Sequence, residues 1–271
     1  DGSFLLLTPT VAVVTNIDDE HMDHYGTMAR LEDAFVGFAN RVPFYGMAAI
    51  CLDDPNVASI LPRLTKRFTT YGLTATTADY VATSVVPDGH GQRFRVVVRG
   101  RDRGEFKLAM PGVHNVRNAL AAIAIADEYE VEPEVIRGAL ATFAGVQRRF
   151  TVRGEARGVV VVDDYGHHPT EIAATLAGAR QCYGERRLVA VLQPHRYTRL
   201  RDNFEGFVGC LDHAHLVVLT EIYSAGEPAL AGVSIDALAE RMRERHPART
   251  VVVEKDFERV PERVAEHVLT G

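Results

Sequence analysis

The sequence predicts an α/β protein in two parts: a sheet that begins parallel and then makes an antiparallel excursion, followed by a doubly wound α/β unit. Three observations carry this. Short apolar, β-branched runs alternate with helical periodicity toward both ends of the chain. A turn segment, Pro87-Asp88-Gly89-His90-Gly91, separates two strand-like stretches, which is hairpin chemistry. The alternation stops near Gln147-Arg148-Arg149-Phe150 and then restarts, so the domain boundary is expected between Val146 and Phe150, giving parts 1–147 and 148–271.

Taken in order, strands are predicted near 11–15, 47–52 and 67–71, separated by helical patterns at 27–40 and 54–61, the βαβ signature of a parallel sheet. Stretches 80–86 and 93–98 flank the turn, and 105–110 completes the antiparallel group. Helices are predicted at about 114–129 and 133–142. In the second part, strands are expected near 159–162, 187–193, 215–221 and 250–254, with helices between them. Gly158-Val159-Val160-Val161-Val162 has no polar alternation and reads as a strand buried on both faces of a parallel sheet. The helix after it is predicted to start at Pro169, with Glu171 where the helix dipole favours a carboxylate and Ile172, Leu176 and Ala179 at helical spacing. Residues 268–271 read as the beginning of another strand.

At 271 residues and 46% hydrophobic content the chain can build two cores. No apolar run approaches the length of a membrane span, and the N-terminus has no basic-then-apolar signal pattern, so membrane insertion is not expected. Cys51, Cys182 and Cys210 are odd in number, widely spaced and set in apolar segments, which suits reduced core thiols in a cytoplasmic protein. A formal charge of -6 argues against a sequence-independent nucleic-acid binder and leaves room for local arginine clusters that hold anions.

Four constellations carry chemistry. Asp163-Asp164-Tyr165-Gly166-His167-His168-Pro169-Thr170-Glu171 follows a strand and opens a helix, where open α/β sheets bind ligands; alternatively, the aspartates cap the next element and the histidines are exposed loop residues. Thr15-Asn16-Ile17-Asp18-Asp19-Glu20-His21-Met22-Asp23-His24 is oxygen-rich with few imidazoles, favouring magnesium or manganese over zinc; a capping loop is the plain alternative. It partly imitates the His-x-His-x-Asp-His metallohydrolase pattern, but Asp19 stands where that pattern needs its first histidine. Met110-Pro111-Gly112-Val113-His114-Asn115-Val116-Arg117-Asn118 opens an alanine-rich helix whose free N–H groups suit phosphate and whose Asn amides suit an adenine edge; here Asn115 could equally be a helix cap. In Gln193-Pro194-His195-Arg196-Tyr197-Thr198-Arg199, Arg196 and Arg199 lie three apart at a helix start and could converge on one phosphate or carboxylate.

These motifs, with Gln147 to Phe150 and Tyr223-Ser224-Ala225-Gly226-Glu227, resemble the Mur ligase family over essentially the whole chain and in the same order. The resemblance implies a fold made of the later part of a central P-loop-type ATPase domain with a mixed sheet, then a Rossmann-like C-terminal domain. It implies ATP-dependent amide synthesis through an acyl phosphate, with ATP and Mg2+, and with UDP-N-acetylmuramate and L-alanine as substrates. By resemblance, His21 is a magnesium ligand, Asn115 and Asn118 hold the adenine, and Arg149 and Asp164 meet the nucleotide. His167, Arg196 and Arg199 are the expected catalytic residues, with Tyr165, His195 and Glu227 on the substrate side. The member that recycles a whole tripeptide reads Asp-Asp-Phe-Ala-His-His-Pro-Thr-Ala in the first motif, so Tyr165, Gly166 and Glu171 favour the alanine-adding type. A non-catalytic nucleotide-binding module derived from the family is the remaining alternative.

Departures bear on this. The Gly-Thr-x-Gly-Lys-Thr phosphate loop and the uridine-binding domain are not among these residues and are expected upstream, which makes the 271 residues a fragment expected to be inactive alone. Glu20 stands where the family usually has aspartate. No lysine occurs in 27–40, where several members carry a carbamylated lysine, so a second magnesium would need other support.

Overall fold

A short 3-10 helix (Gly2–Leu6) leads into β1 (Val11–Val14), α1 (Met22–Tyr25), α2 (Met28–Ala39), β2 (Met47–Cys51), α3 (Pro55–Ile60), β3 (Phe68–Gly72), β4 (Tyr80–Asp88), β5 (Gly91–Val98), β6 (Arg101–Leu108), α4 (Val113–Glu128) and α5 (Pro133–Thr142) in the computed structural model, which describes residues 2–268. These elements make the first of two units, Asp1–Ala144; the second is Gly145–Gly271. The six strands form one sheet in the order β1-β2-β3-β4-β5-β6. The first four pair in parallel, with Ala12 opposite Ala48, Ala49 opposite Thr69 and Tyr71 opposite Tyr80. The last three are antiparallel.

Local chemistry explains the boundaries. Thr27 Oγ1 accepts the N–H of Arg30 (3.3 Å) at the start of α2, and Asp54 Oδ1 accepts that of Val57 (2.8 Å) ahead of Pro55 in α3. The β5–β6 hairpin turns through Arg99 (φ 47°) and Gly100 (φ 78°), both left-handed, the geometry that matches strand twist in a two-residue loop. The third antiparallel strand therefore begins at Arg101 rather than 105. Helix α4 covers one face of the sheet, packing Val116, Leu120 and Ile123 in a core with Tyr71, Phe94 and Phe106. Residues of α2 and α3 cover the other with Leu31, Val57 and Ile60. Each fully buried aliphatic side chain contributes about 1.5–3 kcal/mol.

The second unit holds β7 (Thr151–Ala156), β8 (Val159–Asp163), α6 (Pro169–Tyr183), β9 (Val189–Leu192), α7 (Tyr197–Asp202), α8 (Phe204–Gly209), β10 (Leu216–Thr220), α9 (Ile235–Arg245), β11 (Thr250–Glu254) and α10 (Val260–Val268). Strands β9, β10 and β11 are parallel in the order β11-β10-β9, and β10 is buried along its whole length. Leu200, Phe207, Leu211, Leu238 and Met242 form its core. The mixed α/β class stands, with two corrections. The valines of β8 are not in the parallel sheet: β8 pairs antiparallel with β7, which the sequence reading did not contain, and Val161 is 55% exposed. A two-stranded ribbon has no second layer on both faces, so its valines stay half-exposed. Val268 ends a helix instead of opening a strand, and 269–271 lie outside the described residues. Cys51 and Cys210 are buried free thiols and Cys182 is a partly buried one; burial pushes the Cys210 thiol up to about 12.

Candidate functional site

At the carboxyl end of β1 the chain is anchored by buried Ile17, whose carbonyl accepts Asn56 Nδ2 (2.8 Å). Asp18 then folds the loop back, accepting the N–H of Asp19 on its side chain (3.0 Å) and that of Glu20 on its carbonyl (2.7 Å). His21 follows at φ 59°, ψ 33° as the residue capping α1. A left-handed conformation is uncommon for a residue with a side chain, and His is among those enriched there. Asp18, Asp19, Glu20 and Asp23 flank His21 within five positions of sequence, and such an oxygen-rich set suits a hard divalent cation.

At the start of α4, Gly112 is required twice: its φ is 90°, and a Cβ there would lie 2.5 Å from His114 Cε1. Gly112 is the cap, so Asn115 is not. Its carboxamide instead donates back to Pro111 O (2.7 Å), and Asn118 Nδ2 donates to Asn115 Oδ1 (3.4 Å). The two Asn side chains are thus brought together on one turn.

In the second unit, segments 148–150 and 164–171 are tied into one knot. Asp164 Oδ2 accepts the Phe150 N–H (2.9 Å) and Oδ1 that of Gly166 (2.7 Å). Tyr165 N donates to Arg148 O (2.7 Å), while the Arg148 guanidinium lies 4.6 Å from the Tyr165 ring centroid. Arg148 (φ 59°) and Phe150 (φ 51°) are both left-handed, and these bonds hold them so. Asp163 pairs with Arg153 (2.7 Å), so neither aspartate caps α6. That end is closed by Glu171, whose Oε2 accepts the N–H groups of His167 (3.0 Å) and His168 (3.3 Å) and whose Oε1 accepts from Arg149 (3.2 Å). Burial raises the Glu171 carboxyl, but the His167 N–H, the His167 ring, the His168 N–H and Arg149 together carry it below its ordinary value.

The second cluster in this unit forms after β9. His195 bridges to Tyr223, with ring centroids 4.9 Å apart; Arg196 N donates to Tyr223 O (2.8 Å) and Tyr223 N to Pro194 O (2.9 Å). Arg196 caps α7 at φ 72°. Glu227 reaches that helix start from a distant turn: Oε2 accepts Thr198 N (3.0 Å), Oε1 accepts Thr198 Oγ1 (2.8 Å), and Arg196 Nη1 lies 3.8 Å away. A carboxylate at a helix N-terminus is what the dipole favours, and it offsets the two arginines there. Burial raises Glu227, and Thr198 and Arg196 more than reverse this, leaving it below its ordinary value. Arg199 Nη1 donates to His195 O (3.2 Å) and faces its Nδ1 (3.4 Å). Burial, then Arg199, Arg196 and His167, lower the His195 pKa, so the ring is neutral at pH 7.

Residues 3–126 match the Mur ligase middle domain, and residues 148–271 match the Mur ligase, glutamate ligase domain. The chain belongs to the Mur ligase family. It is similar to the UDP-N-acetylmuramate--L-alanine ligases of Myxococcus xanthus (52% identity over 94% of this chain and 54% of that protein) and Geobacter sp. strain M21 (52% identity over 100% and 58%). The chain therefore spans a little over half the length of these relatives. A crystal structure of UDP-N-acetylmuramate-alanine ligase from Thermotoga maritima shares the fold, with a TM-score of 0.77 at 24% identity over 97% of this chain and 55% of that one. Thr198 and Tyr223, which stand in the sequence motifs without an assigned role, shape the Arg196 turn, and Asp53, whose side chain is buried just after β2, is absent from those motifs. A signal for Asp53 was present in the Asp53-Asp54-Pro55 helix start, of which Asp54 alone does the capping.

Proposed function

We propose that the longer protein containing this chain is an ATP-dependent amide ligase that joins L-alanine to UDP-N-acetylmuramate in cytoplasmic peptidoglycan-precursor synthesis. The observation that carries this reading is chain-long identity of about half to ligases of that name, and the side-chain geometry is consistent with it. The lactyl carboxylate attacks the γ-phosphorus of ATP, ADP leaves, and the amine of alanine then adds to the acyl carbon. The tetrahedral intermediate expels phosphate with the C–O electron pair, and the amine proton is lost.

Asn115 and Asn118 present amide edges to the adenine, and Arg149 and Asp164 bind the nucleotide. Asp164 uses two of its roughly four acceptor positions on backbone amides, leaving others for ribose hydroxyls. Arg196 and Arg199 stabilise oxyanions in the acyl transfer, His167 and Tyr165 line the same side, and neutral His195 supplies a proton acceptor beside the arginines. His21 with the neighbouring carboxylates would hold Mg2+, whose charge would offset that of the phosphoryl oxygens. The test is to supply the full-length protein with ATP, Mg2+, UDP-N-acetylmuramate and L-alanine and to follow product by mass spectrometry. A mass gain of one alanyl residue, dependent on ATP, supports the reading; hydrolysis of ATP without that product, or no reaction, rejects it.

A further inference from the structure

Asp53 is a heavily engaged carboxylate of the first unit. Its side chain is 4% exposed. Oδ1 accepts Thr74 N (2.8 Å), Thr74 Oγ1 (2.8 Å) and Ala75 N (3.0 Å), while Oδ2 accepts Leu73 N (2.8 Å) and Arg117 Nε (3.1 Å). A carboxylate offers about four lone-pair positions, so this group is saturated and has no capacity to contact substrate. The surroundings are built for it: a Cβ on Gly72 would lie 2.7 Å from Asp53 Oδ1. Burial raises the Asp53 carboxyl, and the Leu73, Ala75 and Thr74 bonds outweigh it, so the group is held charged.

This one side chain joins the carboxyl end of β2, the carboxyl end of β3 and the second turn of α4. Arg117 lies two residues from Asn115 and one from Asn118. Neighbouring helix positions are rigidly related at about 1.5 Å rise each, so a directional bond at 117 sets both the rotation and the height of the turn that carries the Asn pair. The apolar contacts of Val116 and Leu120 hold α4 against the sheet but are non-directional.

We propose that Asp53, acting through Arg117, is a positioning residue for nucleotide recognition: it fixes the Asn115–Asn118 pair relative to the strand ends of the first unit. The proposal rests on the reading that this pair holds an adenine.

The test uses the full-length protein and calorimetric titration with MgADP, with Arg117→Ala as the main variant because the Arg117 side chain is 41% exposed and its removal leaves the core intact. Arg117→Ala and Asp53→Asn each weaken MgADP binding by about 3- to 30-fold and raise the KM for ATP, with kcat and the affinity for the sugar nucleotide unchanged. The double variant is no weaker than the worse single one, since both cut the same bond. Arg117→Lys recovers part of the affinity. Unchanged MgADP affinity in Arg117→Ala, with Asn115→Ala strongly impaired, overturns the proposal and leaves the adenine reading standing. Unchanged affinity in both overturns the adenine reading and the proposal with it. An equal loss toward MgADP and the sugar nucleotide reduces Asp53 to general support and also overturns it.

Discussion

Replacing Glu227 with alanine separates the two tasks assigned to the Arg196 turn. The carboxylate accepts two hydrogen bonds from Thr198 at 3.0 and 2.8 Å and faces Arg196 at 3.8 Å, with its side chain 20% exposed. Loss of a side-chain acceptor at a helix start costs about 0.5–2 kcal/mol, and a charge-assisted bond sits toward the upper end. A total near 1–2 kcal/mol, set against the unfolding entropy of a unit this size, lowers Tm by roughly 3–8 °C. Glu227→Gln keeps an acceptor oxygen for Thr198 and loses the charge, so it falls between wild type and alanine. Differential scanning calorimetry of the 271-residue chain reads this directly. In the full-length protein, freeing the Arg196 turn lowers turnover by about 10- to 100-fold. A Glu227→Ala variant with both the wild-type Tm and the wild-type turnover refutes the assignment of Glu227 to the α7 start.

Further outcomes follow from other groups. Arg196→Ala lowers turnover by orders of magnitude while Tm stays within about 1–2 °C, because an exposed guanidinium contributes little to folding; unchanged turnover removes Arg196 from the site. The Glu171 carboxyl is depressed below its ordinary value of 4.5, so its stabilisation is complete above that pH and is lost as pH falls through the lower folded value. Accordingly, the stability gap between wild type and Glu171→Gln, measured by urea unfolding, is constant at neutral pH and closes under acid; a gap that persists unchanged well below pH 4.5 contradicts this. His195 is depressed below 6.5, so below that pH the unfolded chain takes up a proton before the folded one and stability falls. An NMR titration of the ring places its midpoint below 6.5 and moves it upward in Arg199→Ala; a midpoint above 6.5 contradicts the assigned environment.

How much of this was legible depends on how local each signal is. The parallel strands β1 to β3 and their helices announce themselves through periodicity, and β2 is buried at every position, as its unbroken apolar run implies. The valines of β8 were misplaced because a β-branched run suits any pleated surface, ribbon or buried sheet alike. Strand β7 left no pattern, since Thr151–Ala156 is exposed along almost its full length and nothing selects alternation there. Motif order in the sequence was enough to recognise the family. The contacts that shape the site were not readable: Thr198 and Glu227 are 29 positions apart, and Asp53 and Arg117 are 64 apart. Such pairings are created by topology, with no spacing rule to reveal them. Asn115 shows the same limit at short range, since its part in the helix start is decided by the φ of Gly112.

The most direct measurement of the central claim is isotope transfer. UDP-N-acetylmuramate carrying 18O in its lactyl carboxylate is turned over with ATP and L-alanine by the full-length protein, and the released phosphate is analysed by mass spectrometry. Passage through an acyl phosphate delivers one 18O from each labelled carboxylate to phosphate. Alanylated product formed with unlabelled phosphate contradicts the account.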